Sequence, residues 1–431
     1  MSARNRELAN LAVVGCLTAI GFAAVYLASQ KVPEFSAVSL TYAGFFIALF
    51  LTAHLACRLV LPAADPYLLP IAGLLTAIGL TMIYRIEPDL AFRQGFWVVI
   101  GVAAFAAVVF FLRDHRTLDT YKYTLGLAAI GLLCLPALPS IGTEVNGARL
   151  WVHVGSIAFQ PGEIAKVLIV CFLAGYLRDN REMLSLGRGR LRLPSAKHLG
   201  PLLLFWGGAM LVLFQSNDLG GGLLIFSIFL AMLYIATGRW SYVAAGGVLF
   251  AIGSWAIYHF VPHIQDRVTI WLDPWQDPTE KGYQLVQSIY AIAGGGLFGA
   301  GLGRGVLVAP DGSTYIPYLE TDFVYSAIAQ ELGLAGAAAV ILLYLLFAYR
   351  GLKIAMQAQD GFSKLLAAGL TAAVAIQAFI IVGGVSGLIP LTGITLPFVS
   401  YGGSSIVANF LVLALLLIVS NHVNETAEAR E

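Results

Sequence analysis

Few ionisable residues interrupt the apolar stretches of this chain, and those few are where chemistry is expected, because a charge in hydrocarbon is costly unless it serves a site or finds a partner. Within the stretches stand Glu163, Lys166, Glu331, His54 and His259. Glu163 and Lys166 are spaced i, i+3 on one expected helix that Pro161 suits as a start, so they can neutralise each other or line a cavity. Asp218 occupies a very short turn, Gln215-Ser216-Asn217-Asp218-Leu219-Gly220. Turn chemistry explains an Asp there as readily as a site does. Asp322, in Glu320-Thr321-Asp322-Phe323, opens another apolar stretch, where the helix dipole favours an acid and Thr321 can cap. Glu331, farther along after Gln330, reads equally as a packed polar residue or as part of a relay. His54 and His259 lack metal-like partners at i+4 and read as satisfied or interfacial histidines.

The elements that must position these groups are membrane helices. Hydrophobic residues make up 59% of the 431 and charged ones 11%, which excludes an ordinary soluble domain. The net charge of +1 offers no excess to attract nucleic acid. Cys16, Cys57, Cys134 and Cys171 lie in apolar runs without metal-ligand spacing and read as packing residues. Twelve stretches of about 20 residues, the length that spans a bilayer, are expected near 9–29, 38–57, 67–84, 94–112, 123–138, 157–177, 200–217, 219–238, 241–260, 323–348, 365–387 and 400–420. With a cytoplasmic N-terminus, 17 Lys or Arg fall inside and 7 outside, as the positive-inside rule favours. The basic 178–199 loop, with Arg178, Arg181, Arg188, Arg190, Arg192 and Lys197, is the strongest vote and reads as topogenic. Two outward segments remain: Pro139 to Ser156, and Val261 to Asp322, whose aromatic residues suggest a structured cap. The alternating glycines of Gly299 to Gly305 follow no parallel strand and are discounted as a nucleotide loop. Glu163, Lys166, Asp218 and Asp322 all fall in the outer half, which suggests a site open to that face.

Motifs in order along 68–421 carry a resemblance. They are Asn146-Gly147-Ala148-Arg149-Leu150-Trp151, Phe159-Gln160-Pro161-Gly162-Glu163-Ile164-Ala165-Lys166, Asp218-Leu219-Gly220, Arg267-Val268 with Asp273-Pro274 and Asp277-Pro278, Gly282-Tyr283-Gln284 with Gln287-Ser288, Thr321-Asp322-Phe323 with Glu331-Leu332-Gly333, and Pro397 with Ser400-Tyr401-Gly402-Gly403-Ser404. On this topology the string closely resembles the SEDS family, the RodA/FtsW/SpoVE proteins of bacterial cell-wall assembly. The resemblance implies an all-α polytopic membrane protein: two extra N-terminal helices in 1–66, a ten-helix core over 67–421 that includes an extracytoplasmic loop at 261–322, and a short cytoplasmic tail, 422–431. Both termini would be cytoplasmic and the active site extracytoplasmic.

The resemblance further implies a peptidoglycan glycosyltransferase that polymerises lipid II and works with a class B penicillin-binding protein. The family's essential acid falls on Asp322, which can act as base for the acceptor hydroxyl or hold a divalent cation, Mg²⁺ or Mn²⁺, against the diphosphate. Arg149, Arg267 and Lys166 are candidates for the leaving-group charge. Trp151 can face a sugar or the lipid headgroup, and Glu163, Gln284, Ser288, Tyr401 and Ser404 are the other expected substrate contacts. No nucleotide or redox cofactor is expected. The chain departs from the family pattern at Leu150, which separates Arg149 from Trp151, at Gln330 in place of a second acid, and at Asn217 in place of proline. The extra helices favour the elongation branch over the division branch. A flippase for a lipid-linked precursor is the alternative, although its ionisable groups should lie near the midplane and be reached from both sides. A scaffold that only activates the transpeptidase is a third possibility.

Overall fold

Apolar runs that dissolve in lipid leave backbone amides no partner but their own carbonyls, so they fold as helices. The computed structural model describes residues 2–29, 37–112, 114–138, 141–145, 147–155, 157–185, 196–260, 262–309 and 312–428. Asn146, Arg188, Arg190 and Arg192, and the ends Pro139, Ser156 and Val261 of the two outward segments, lie outside the described residues.

The helices are α1 (Ala3–Ser29), α2 (Ala37–Val60), α3 (Leu68–Ile86), α4 (Pro88–Phe111), the short α5 (Thr117–Thr120), α6 (Lys122–Cys134), α7 (Pro161–Ser185), α8 (Ala196–Gln215), α9 (Leu219–Thr237), α10 (Trp240–Phe260), α11 (Pro262–Leu272), α12 (Tyr283–Gly294), α13 (Val324–Gln357), α14 (Gly361–Val385) and α15 (Gly403–Glu428). Each of the twelve expected stretches falls on one of α1–α4, α6–α10 or α13–α15. Among the described residues, α1–α4, α9, α10 and α13–α15 are long and apolar enough to cross a membrane. α6 and α8 are shorter apolar helices, and α7 is long but carries Glu163, Lys166 and Arg178. The fold is therefore that of an all-α polytopic membrane protein.

α15 is apolar all round and buried on nearly every side, with α3, α4, α7, α13 and α14 around it. α10 is the opposite case, touching α9 and α11 and leaving most of its surface free for lipid. Helix ends follow local chemistry: Pro88 and Pro161 start α4 and α7. Asp360 caps α14 by accepting from the Ser363 amide at 2.8 Å. Gly238, at φ +67°, ends α9 in the left-handed conformation.

One segment expected only as an outward loop is a small antiparallel sheet, β1 (Gly142–Val145), β2 (Ala148–Val154) and β3 (Ile157–Phe159), in the order β1-β2-β3. Thr143 pairs with Trp151 and Val152 with Phe159, and Gly147 at φ +76° and Gly155 at φ +64° make the turns. Residues 262–309 and 312–322 are structured, as the aromatic residues of this segment suggested. α11 and α12 fold from it, and the alternating glycines have a structural use. α13 is broken at Gly333 (φ +67°), and the released backbone groups pair with the glycine stretch: Ala300 and Gly301 amides donate to Gln330 and Glu331 carbonyls at 3.0 and 2.9 Å, and Leu334 and Ala335 amides donate to Gly296 and Leu297 carbonyls at 2.9 and 3.1 Å. A Cβ on Gly299 would lie 2.1 Å from the Glu331 carbonyl oxygen, so only glycine permits this approach.

Candidate functional site

At the end of the bundle that bears the 262–322 segment, residues 386–402 run between α14 and α15 without regular structure. Such backbone is tolerated at membrane depth only where protein groups satisfy it. Gln377 Nε2 donates to the Thr395 carbonyl at 2.7 Å, Thr395 Oγ1 to Ser405 Oγ at 2.8 Å, and the Leu396 amide to Ser400 Oγ at 2.9 Å. Gln94 of α4 donates to the Ser400 carbonyl at 3.3 Å and accepts from the Gly402 amide at 3.1 Å. Gly79 lets α3 lie directly on the turn, since a Cβ there would be 2.2 Å from the Val399 carbonyl oxygen.

Three charged groups converge on residues 391–393 of this segment. Asp218 caps α9 by accepting from the Gly221 amide at 2.7 Å, and Gly220 beside it lies so close to Thr392 that a Cβ would sit 2.5 Å from its carbonyl oxygen. Arg267 of α11 donates to the Leu391 carbonyl at 3.0 Å. Asp322, whose amide is held by the Tyr318 carbonyl at 3.1 Å, aims its carboxylate at Gly393, where a Cβ would lie 3.8 Å from Oδ2. Trp271 docks α11 on the same segment through a 3.0 Å bond to the Gly387 carbonyl.

All three groups are half-buried and lie outside the spans. Burial pushes the Asp322 carboxyl up to about 6, against the opposing pull of Thr321 and Arg267. Burial likewise pushes Asp218 up to about 6, against the Gly221 amide. Arg267 is lowered by burial, while the charges of Asp322 and Asp218 act to raise it. Among the described residues no group of three or more His, Cys, Asp or Glu side chains is placed to hold a metal.

Glu163 and Lys166 are buried and make their ion pair at 2.9 Å. Lys166 also donates to Gln377 Oε1 at 2.6 Å, so the pair continues through Gln377 to Thr395, two residues beyond Gly393. It both neutralises itself and buttresses the site segment. Ser404 and Tyr401 bind through the same segment: Ser404 Oγ accepts from the Gln160 amide at 2.7 Å, and the Tyr401 amide donates to the Glu320 carbonyl at 2.9 Å, two residues before Asp322.

The other expected residues stand farther out. Gln284 of α12 donates to the Pro317 carbonyl at 3.3 Å, and buried Ser288 bonds to Ser326 Oγ and to the Val385 carbonyl, both at 2.7 Å. Arg149 is exposed on β2 and Trp151 half-buried. Their hairpin reaches the acid cluster through the turn before Asp218: the Arg149 amide donates to the Ser216 carbonyl at 3.1 Å, and Asn217 Nδ2 to the Gly147 carbonyl at 2.9 Å. Asn217 sits at φ +58°, which proline cannot adopt, and this accounts for asparagine at that position.

Glu331 is satisfied by packing. It accepts from Arg85 Nε at 3.1 Å and from the Gly303 and Gly305 amides at 2.8 and 3.2 Å, fastening α3, the glycine stretch and α13 together. His54 meets Glu7 at 2.6 Å, and His259 the Trp255 carbonyl at 2.9 Å. An inventory of charges inside apolar stretches overlooks Gln377 and Gln94, because amides carry none. Arg85 was overlooked because it lies at a helix end, where a basic residue is ordinarily interfacial.

A helical membrane bundle with a half-buried acid and arginine under a folded cap defines the class: a polytopic membrane protein with a polar site at one end of the bundle. The sequence profile of the FtsW/RodA/SpoVE family, described as "Cell cycle protein", matches residues 65–425, and the chain belongs to that family. It is 42% identical to "Peptidoglycan glycosyltransferase RodA" of Mycobacterium tuberculosis (strain ATCC 25618 / H37Rv), over 99% of this chain and 92% of that one. It is 34% identical to "Stage V sporulation protein E" of Bacillus subtilis (strain 168), over 83% and 97%. A chain solved under "Structural coordination of polymerization and crosslinking by a peptidoglycan synthase complex" aligns with TM-score 0.70 at 28% identity, covering 84% of this chain and 98% of that one. The crystal structure of Thermus thermophilus rod shape determining protein RodA aligns with TM-score 0.60 at 25% identity, over 83% and 97%.

Proposed function

We propose that the chain is a peptidoglycan glycosyltransferase that polymerises lipid II on the outer face of the bacterial cytoplasmic membrane during cell elongation. The observation that carries the reading is Asp322: a carboxylate raised to about 6, set against the bare backbone at Gly393 and beside Arg267. A base with that affinity for protons is ionised at neutral pH and accepts one more readily than an ordinary carboxylate. Lipid II carries an α-linked sugar diphosphate and the glycan product is β-1,4-linked, so the reaction is one inverting displacement at C1. Asp322 takes the proton of the acceptor hydroxyl as it attacks, and Arg267 faces the charge that develops on the departing diphosphate. Glu163, Lys166 and Gln377 hold the backbone opposite the acid, and Arg149 and Trp151 present a cation and an aromatic face on the hairpin beside Asp218.

A divalent cation, Mg²⁺ or Mn²⁺, suits this donor set only if phosphate oxygens complete its shell. Asp322 would hold it, and it would offset the diphosphate charge when bound. Residues 1–66 are a two-helix addition to a core over 67–421, which makes twelve spans with 422–431 as a cytoplasmic tail. Both termini are cytoplasmic, and the cap over 261–322 lies outside. The partner is a class B penicillin-binding protein, a reading supported by the pairing of polymerisation with crosslinking in the solved relative.

The test is reconstitution of the purified protein with labelled lipid II. Glycan strands are expected. Precursor translocation across sealed vesicles without strands would instead make the protein a flippase.

A further inference from the structure

A groove of about 560 Å³ opens between α1, α2, α3 and α4, in the half of the bundle nearest the site. Phe22, Phe45, Phe46, Leu49, Phe92 and Phe96 wall much of it, and Gly95 keeps its floor low. Phe45, Phe92 and Phe96 are exposed at its rim. Because its walls are membrane helices, what fills it comes from the bilayer.

Two further observations say which lipid. α4 is shared between groove and site: Phe92, Gly95 and Phe96 line the groove, while Gln94 on the neighbouring face bonds the Ser400 and Gly402 backbone and Trp97 packs on Gly403. Between these faces stands Arg93, an exposed cation beside Tyr401, whose amide is bonded to Glu320 two residues from Asp322. An apolar groove on one face of α4, with a cation standing next to it on the same helix toward the site, fits a lipid-linked diphosphate, with its head at the acid cluster and its hydrocarbon tail leaving along α4.

The geometry points to this groove as the seat of the polyprenyl tail of the lipid-linked substrate, with Arg93 as the phosphate contact at its mouth. This rests on the proposed glycosyl transfer and adds the subsite that recognises the lipid. α1 and α2 then complete a substrate channel rather than merely padding the bundle.

The test uses the full-length protein in nanodiscs and reads binding apart from activity. A polyprenyl diphosphate with a photoreactive group near the end of its chain should label peptides of α2 and α4 in the wild type. Gly95→Leu, and separately Leu49→Trp, fill the groove, and each should cut that labelling about tenfold by removing room for a few methylenes. In the polymerisation assay the same variants should raise KM for long-chain lipid II while leaving kcat, and KM for a short-chain analogue, unchanged; the retained kcat reports an intact fold. Labelling of the same peptides by a photoreactive phosphatidylglycerol, undiminished by excess polyprenyl diphosphate, would overturn the proposal by showing an ordinary bilayer chain in place. Unchanged polyprenyl labelling in both filled variants would do the same. If the wild type makes no strands yet its groove is labelled, the catalytic reading fails and the groove assignment stands.

Discussion

Asp322 is a carboxylate whose surroundings oppose its charge, and this has consequences for rate and for stability. If it is the base, only the ionised form accepts the proton, so strand synthesis should fall as pH drops through about 6, close to tenfold per pH unit below it. A rate flat from pH 7 to 5 would remove Asp322 from the proton transfer. Stability has the opposite sign, because the raised carboxyl is favoured when protonated, below about 6, and that favour is lost as pH rises through 6. Asp322→Asn should therefore melt above the wild type at pH 7.5, with the gap closing as pH falls below 6. Asp322 drew notice in the sequence as an acid opening an apolar stretch, where capping explained it as readily, and the motif resemblance then singled out both Asp322 and Arg267. Gln377 and Gln94 were not legible, since an amide in an apolar helix looks like ordinary packing until its partners are known.

At the level of elements, the site is a contact surface between the start of α9, α11, the start of α13 and residues 386–402. Gly220 sets one of those approaches, and Gly220→Ala would push a Cβ to within 2.5 Å of the Thr392 carbonyl oxygen. The expected result is an activity loss on the order of a hundredfold in a protein that still folds, since small displacements of reacting groups are costly. Glu331 works at the same scale. Glu331→Gln exchanges a carboxylate that serves Arg85 and two amides for a neutral amide, and should lower resistance to unfolding by about 1.5–3 kcal/mol. Equal melting of wild type and variant would mean that the tie contributes nothing. The membrane helices were legible from length and hydropathy alone, whereas α11 and α12 lie in a segment expected only as a structured cap. The β1-β2-β3 sheet was not legible, because its strands are short, its turns depend on single glycines, and an apolar count sees only a gap between helices.

For the whole molecule, the bias of Lys and Arg, 17 on one side and 7 on the other, implies a side. In a variant whose four cysteines are replaced by alanine, Trp275→Cys in the cap should react with an impermeant maleimide on intact cells, whereas Met356→Cys near the far end of α13 should not. Both positions are exposed. The reverse labelling would invert the topology and with it the side on which strands are made. The course of the chain was legible here because charge bias along the loops is a property of the entire sequence. The convergence of Asp218, Arg267 and Asp322 was not, since it depends on how segments separated by dozens of residues fold onto 391–393.

The central claim is tested most directly by strand synthesis from labelled lipid II with purified wild type and Asp322→Ala, each with and without divalent cation and the transpeptidase. Strands from the wild type, and at least a hundredfold fewer from an Asp322→Ala protein that still inserts and binds its partner, are the expected result. Strand synthesis by Asp322→Ala at the wild-type rate would contradict the account.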